Sequence, residues 1–229
     1  MENIVIVGTS TTADNIYHFV KKYSLFNILG FAVNSAYKEV EYFKGKPVFE
    51  IERLESVIDK QRDYLFIAIQ WNNLNADRRD VYIELKNKGY KFANIVSPYA
   101  IVHGSLLGDN CWISDFACIE PNAKVYNNVF VKSCALIGDH SIVDDHCFIG
   151  AKSTIGGGAR IGKQSFIGLG AIVFDEVQIG IKCIVGAATS IKRNLPDFSV
   201  YKTSSSFFVT KIYSEEVIES KLQFRKNIR

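Results

Sequence analysis

Near neutral pH, the side chain best suited to take a proton from an attacking amine or hydroxyl is histidine. The chain has four: His18, His103, His140 and His146. His140 has the most telling neighbours, because Asp139 precedes it and can orient the ring, while the stretch 18 residues later is Gly156, Gly157 and Gly158. Eighteen residues earlier lie Pro121 and Asn122. If 18 residues make one structural period, the imidazole stands beside a corner bare of side chains, a hollow where a reacting group could sit. His18 falls in a helical stretch and reads as a surface or packing residue. His103, His140 and His146 are spaced poorly for one tetrahedral zinc site.

The period is real. An aliphatic residue recurs every six positions from Ile95, Ile101, Leu107 and Ile113 through to Ile191, and four residues after each comes, nearly every time, a small side chain such as Ala117, Ala123, Ala135 or Ser141. Six is neither the 3.6 of a helix nor the alternation of a flat sheet; held this long, it signals a solenoid. Three short strands and three corners make one coil, with the aliphatic side chains inward and the second and third corner positions outward. His140 and His146 take the third position, His103 the second. Outward Phe116, Trp112, Phe148 and Phe166 would be exposed in a monomer, which predicts a trimer. Pro196 follows the last full hexad, so the chain is expected to leave the repeat there and form a helix over residues 214–224.

Residues 1–94 have another rhythm. NIVIVG and NILGFAVN are strands around a helix at TTADNIYHFVKKYS, YLFIAIQ is a third strand, and DRRDVYIELKNKGY an amphipathic helix. Alternating strands and helices imply a small parallel sheet, whose ligand belongs at the carboxyl ends of the strands. That places Gly8, Thr9, Ser10, Asn34 and Gln70 round a candidate nucleotide site. The loop GTSTTA has one glycine where a dinucleotide fingerprint has three, and Asn34 stands where NAD binders carry an acid, which argues against a redox cofactor. The expected layout is therefore a Rossmann-like domain over 1–94, a β-helix over 95–196 and a tail over 197–229.

Composition narrows the partners. A net charge of +3 implies no acidic polymer as partner, and the basic end KLQFRKNIR, without a binding module around it, reads as a solvated helix face rather than a nucleic-acid site. No apolar run is long enough for a membrane span and the start lacks a signal-peptide layout, so a cytoplasmic protein is expected. Cys111, Cys147 and Cys183 recur every 36 residues. Two coils separate neighbours, roughly 9 Å, beyond disulfide reach.

The hexads, the IVIVGTSTTA start, FIAIQWNN and the segment GDHSIVDDHCFIGAKSTIGGGARIGKQSFIGLGA together resemble the hexapeptide-repeat, left-handed β-helix sugar acyltransferases of the bacillosamine and sialic-acid O-acetyltransferase type. The resemblance implies transfer of an acetyl group from acetyl-CoA to the amine, or a hydroxyl, of a nucleotide-linked amino sugar in bacterial surface-glycan synthesis, by a homotrimer without metal. It places acetyl-CoA along the β-helix at Phe148, Gly157 and Ala187. The family's base is a histidine followed by an acid; here that pair is reversed as Asp139 and His140, and the family's second histidine falls on Phe148. Proton removal by His140, by Asp139, or catalysis by positioning alone all remain open on the sequence. A catalytically silent β-helix scaffold and a zinc-dependent carbonic anhydrase of the same repeat are the alternatives.

Overall fold

The computed structural model describes residues 1–202. Its first part is a six-stranded sheet in the order β3-β4-β2-β1-β5-β6, with β1 at Asn3–Val7, β2 at Asn27–Val33, β3 at Tyr42–Phe43, β4 at Lys46–Glu50, β5 at Tyr64–Ile67 and β6 at Lys91–Phe92. All pairings are parallel except β3 with β4, a hairpin turned through Lys44 and Gly45, both at positive φ. That edge hairpin was not anticipated from the sequence. The central strands are unbroken apolar runs because both of their faces are buried. Helix α1, Thr11–Lys22, is capped by Ser10, whose Oγ accepts the Thr12 amide hydrogen, and buries Ala13, Ile16, Tyr17 and Val20 on one stripe. Helix α2, Ala76–Asn87, packs Tyr82 and Leu85 on the opposite face of the sheet.

From Ile95 the chain winds into a left-handed parallel β-helix with three flat faces. The first face stacks Ile95–Val96, Trp112–Ile113, Phe130–Val131, Phe148–Ile149, Phe166–Ile167, Ile184–Val185 and Val200–Tyr201; the second runs from Ile101–Val102 to Ser190–Ile191, and the third from Ser105–Leu106 to Gln178–Ile179. Inward aliphatic and small residues form one continuous core, Ile113 to Ile191. At the third position of nearly every corner the backbone turns left-handed, His140 at φ 56° and His146 at φ 64° among them. This conformation throws the side chain outward.

Two expectations about the repeat are corrected. In the first coil, Ile95, Ile101 and Leu107 are not the inward residues: Val96, Val102 and Leu106 pack on the core, while Ile101 is 53% and Leu107 55% exposed. Trp112 pairs with Ile95 and Cys118 with Ile101, a step of 17 residues, whereas later pairs such as Phe130 with Phe148 step by 18. A one-residue slip exchanges inside for outside, and the doublets Ile-Val and Leu-Leu satisfy either phase. Pro196 does not end the stack either, because Val200 and Tyr201 pair with Ile184 and Val185. The expected helix over 214–224 lies outside the described residues.

The two parts share a core. The outer side chains of the first face, Trp112, Phe130 and Phe148, pack with Ile4, Ile6, Phe66 and α1 in a single cluster, with Phe66 stacked on Phe130 at 5.8 Å. The β-helix thus covers the flank of the sheet beside α1, where an open sheet of this kind would otherwise need another helix. This narrows the premise that the four outward aromatics are bare in a monomer: Trp112 and Phe148 are each 5% exposed, Phe166 is half-buried, and Phe116, at 65%, is open. The seam is locked by Arg78 of α2, which is fully buried. Its guanidinium lies 4.0 Å over Phe130 and donates to Asn128 Oδ1 and to the carbonyls of Ile69, Asn128, His146 and Cys147. Burial without a carboxylate partner lowers its pKa to about 9.

Candidate active site

The carboxyl ends of β1, β2 and β5 open on two adjoining recesses that share Gly8, Tyr37 and Ile69. One, about 540 Å³, is lined by Gly8, Thr9, Ser10, Thr11 and Thr12 at the start of α1 and by Gln70 and Asn72. The other, about 490 Å³, is bounded by Asn34, Tyr37, Ile51, Val81, Asp77 and Asp80. All five residues picked from the sequence, Gly8, Thr9, Ser10, Asn34 and Gln70, therefore line one cleft. Gly8 sits at φ +119°, and a β-carbon there would meet the Ala68 carbonyl at 3.3 Å, so the tight turn into α1 requires glycine. Hydroxyls and amides at a helix N-terminus suit an anionic group. Tyr37, Asp77 and Asp80 were missed, although the two acids three apart at the start of α2 signal one helix face.

His140 lies on the second corner, between the second and third faces. Its Nδ1 is 2.9 Å from Asp139 Oδ2, a contact that holds the proton on Nδ1 and leaves Nε2 as the acceptor. Nε2 lies 3.3 Å from Asn122 Nδ2 and opens on a recess of about 350 Å³ lined by Ser105, Asn122, Lys124 and Ile142. The hollow thus lies towards the preceding coils, not over the glycines as anticipated. The glycine corner has another use: a β-carbon on Gly157 would stand 2.8 Å from Asp139 Oδ1, and the Gly157 amide donates to Asp175 Oδ1 at 2.9 Å. Bare backbone at Gly157 is the room into which the Asp139 carboxylate folds while it holds His140.

The other sequence-derived residues separate. Phe148 is no wall of an open CoA site: it is stacked on Phe166 at 5.1 Å and covered by Trp71 at 4.9 Å, inside the seam between the two parts. Gly157 lies on the second corner and exposed Ala187 on the first, at the two edges of the second face. His146 belongs to the third corner and is half-buried beneath α2, its Nδ1 2.9 Å from Asn128 Nδ2 and its ring edge-on to Tyr82. Burial lowers its pKa to about 4, with Arg78, Arg79 and Lys163 acting in the same direction against Asp145. Among the described residues, no three His, Cys, Asp or Glu side chains converge as a metal site, and no helix is long and apolar enough to cross a membrane.

Residues 95–200 match the family model described as the GMPPB C-terminal domain. No curated protein sequence is significantly similar to the chain. Among solved structures, a histidine-to-asparagine variant of perosamine N-acetyltransferase from Caulobacter crescentus, in complex with CoA and GDP-perosamine, superposes with a TM-score of 0.78 at 23% identity, covering 87% of this chain and 93% of that one. The acetyltransferase domain of PglB from Neisseria gonorrhoeae FA1090 gives 0.77 at 18% identity over 87% and 96%, and WeeI from Acinetobacter baumannii AYE 0.59 at 17% over the same shares. Both the strand-helix part and the solenoid are included in these matches. The chain shares its fold with these acetyltransferase structures.

Proposed function

We propose that the chain transfers an acetyl group, or a similar acyl group, from CoA to the amine of a nucleotide-linked amino sugar, a hydroxyl being the alternative acceptor. Residues 1–94 hold the nucleotide sugar, and the β-helix that starts at residue 95 and stacks through Tyr201 carries the acyl-transfer machinery. The observation that carries the reading is His140: an imidazole held by Asp139 with Nε2 open on a recess, in an architecture whose C. crescentus counterpart binds CoA and GDP-perosamine. The sugar amine attacks the thioester carbonyl carbon and loses a proton to Nε2. The tetrahedral intermediate then collapses, breaking the carbon–sulfur bond, and the imidazolium returns the proton to the leaving thiolate.

The site needs more than one copy of the chain. The nucleotide cleft sits on the part that covers the first face, whereas His140 occupies the opposite vertex of the triangular cross-section. One copy therefore supplies the sugar and its neighbour the base, in a homotrimer. The apolar strip formed by Ile101, Leu136 and Ile172, with Phe116, Leu169 and Phe174 at its edges, supplies a surface for that contact. Acetyl-CoA lies in the groove where the first corner of one copy meets the second corner of the next, which brings Ala187 and Gly157 to the same ligand. The enzyme works in the cytoplasm, for bacterial surface-glycan synthesis, and needs no metal.

Incubation with acetyl-CoA and UDP-, dTDP- or GDP-linked amino sugars, followed by thiol release, tests the reading. Release of CoA with at least one sugar is expected. If both ligands bind and none releases thiol, the chain is a silent binding protein of this fold.

A further inference from the structure

The loop from the end of β5 into α2 is held in a shape that its own residues disfavour. Asn73, Leu74 and Asn75 all have left-handed backbones, at φ 49°, 54° and 63°. Residues other than glycine adopt that conformation singly and at a cost, smallest for asparagine. Three in succession with leucine in the middle is stored strain. Asn75 does not offset it at the helix start: an N-cap asparagine normally has an extended backbone and accepts an amide hydrogen of the first turn, whereas this one makes no capping bond. Its side chain is buried instead, with Nδ2 3.5 Å from the Ser165 carbonyl oxygen and no partner for Oδ1 among the described residues. The constraint comes from the β-helix. Gln164, 5% exposed at the third corner, donates from Nε2 to the Leu74 carbonyl at 2.9 Å and accepts from Arg79 through Oε1. Trp71 stands edge-on to Phe148 and Phe166 of the first face, 4.9 and 5.8 Å away. The same loop carries Gln70 and Asn72 into the recess at the start of α1.

We propose that Gln164 is a positioning residue for the nucleotide sugar: by gripping the Leu74 carbonyl it keeps residues 73–75 left-handed and so faces Gln70 and Asn72 into the cleft. The proposal rests on the nucleotide-sugar reading above, and adds to it that a side chain of the β-helix, outside the cleft, sets the shape of one cleft wall. The opposite wall, Gly8 to Thr12, is fixed by β1 and by the Ser10 cap of α1. The wall of Gln70 and Asn72 has no such cap behind it. Magnitudes make one hydrogen bond decisive here. A left-handed backbone disfavours a residue such as leucine by roughly five- to thirtyfold, and one hydrogen bond shifts an equilibrium by about fivefold, more where its removal leaves a buried carbonyl unpaired. The two are of the same size, so the turn holds with Gln164 and relaxes without it.

Calorimetric titration of the full-length protein with GDP, UDP, dTDP and, separately, acetyl-CoA tests this in wild type, Gln164→Met and Gln164→Glu. Methionine keeps the length and loses both hydrogen bonds; glutamate keeps an acceptor for Arg79 and loses the donor to Leu74. Both variants should bind whichever nucleotide the wild type prefers about five- to tenfold more weakly, with acetyl-CoA binding within about twofold of wild type. Adding Leu74→Gly, which takes the left-handed backbone without a clash, should bring Gln164→Met back to within about threefold of wild type, a repair that lost packing would not show. Unchanged nucleotide binding in both variants overturns the proposal. So does wild-type binding in Gln164→Glu, which would move the role from the Leu74 carbonyl to Arg79. A loss that Leu74→Gly leaves as it is, or that extends equally to acetyl-CoA, overturns positioning in favour of general destabilisation. In each of these cases nucleotide binding by the wild type leaves the nucleotide-sugar reading standing, whereas a wild type that binds none of the three overturns that reading and the role of Gln164 together.

Discussion

What separates His140 from the other histidines is not its position in the repeat, which His146 shares, but what its corner faces. The second corner is free of the N-terminal part; the third is pressed under α2. Replacing His140 by asparagine removes the proton acceptor and keeps a polar corner residue that tolerates the left-handed backbone. Turnover should fall by about a hundredfold to ten-thousandfold with acetyl-CoA binding nearly intact, as measured by initial rates and calorimetry. A variant retaining more than about a third of wild-type turnover would pass the chemistry to positioning alone. Gly157→Ala tests the support instead. The new methyl group displaces a flexible carboxylate rather than backbone, so melting should barely change while turnover drops about tenfold or more as Asp139 loses its hold on the ring. The sequence placed Asp139, His140 and Gly157 in one column, but could not say on which side the space would open, because that depends on where the Asp139 carboxylate folds.

The helices and coils act as units in a way that local patterning reveals only in part. The hexad was legible from Ile113 onwards because one aliphatic position alternates with polar or small ones. It was ambiguous at Ile95-Val96, Ile101-Val102 and Leu106-Leu107, where both phases are apolar and only the covering sheet decides. The burial of Trp112 and Phe148 was illegible for the same reason: periodicity says that a side chain leaves the solenoid, not what it meets. Where α2 crosses the third corner, Arg78→Ala would leave several buried carbonyls unpaired and a void over Phe130, a loss of about 3 kcal/mol or more in chemical unfolding. His146 in the same seam makes stability depend on pH. Its folded pKa, about 4, lies below the unfolded value near 6.5. The unfolded chain therefore binds more protons between those values, and stability falls as pH drops from about 6.5 towards 4. His146→Gln should flatten that part of the melting-temperature profile, and the ring's own titration by nuclear magnetic resonance should have its midpoint near pH 4.

At the scale of the whole molecule, the placement of the cleft and of His140 at opposite sides of one chain makes a sharp prediction. Light scattering should give three times the 25.7 kDa of the chain, and a monomer at micromolar concentration would remove the shared site. Mixing is more decisive. His140→Asn lacks the base and Ser10→Trp blocks the cleft, so each alone should be nearly inactive. Co-expressed, they should recover about a quarter of wild-type turnover, since random pairing places an intact cleft opposite an intact base at one interface in four. No recovery would mean that cleft and base serve the same copy.

The sheet packed along the first face has one more effect, on how many neighbours a molecule can accept. A bare triangular prism has three equivalent flanks and could tile outward in two dimensions without limit. With one flank taken by its own N-terminal part, each copy keeps a valence of two. Bodies of valence two form only closed rings or single-file chains, and the angle between the two remaining flanks of a triangle favours a ring of three. For the proposed trimer, the part of the fold that builds the cleft also removes the flank through which growth in two dimensions would proceed.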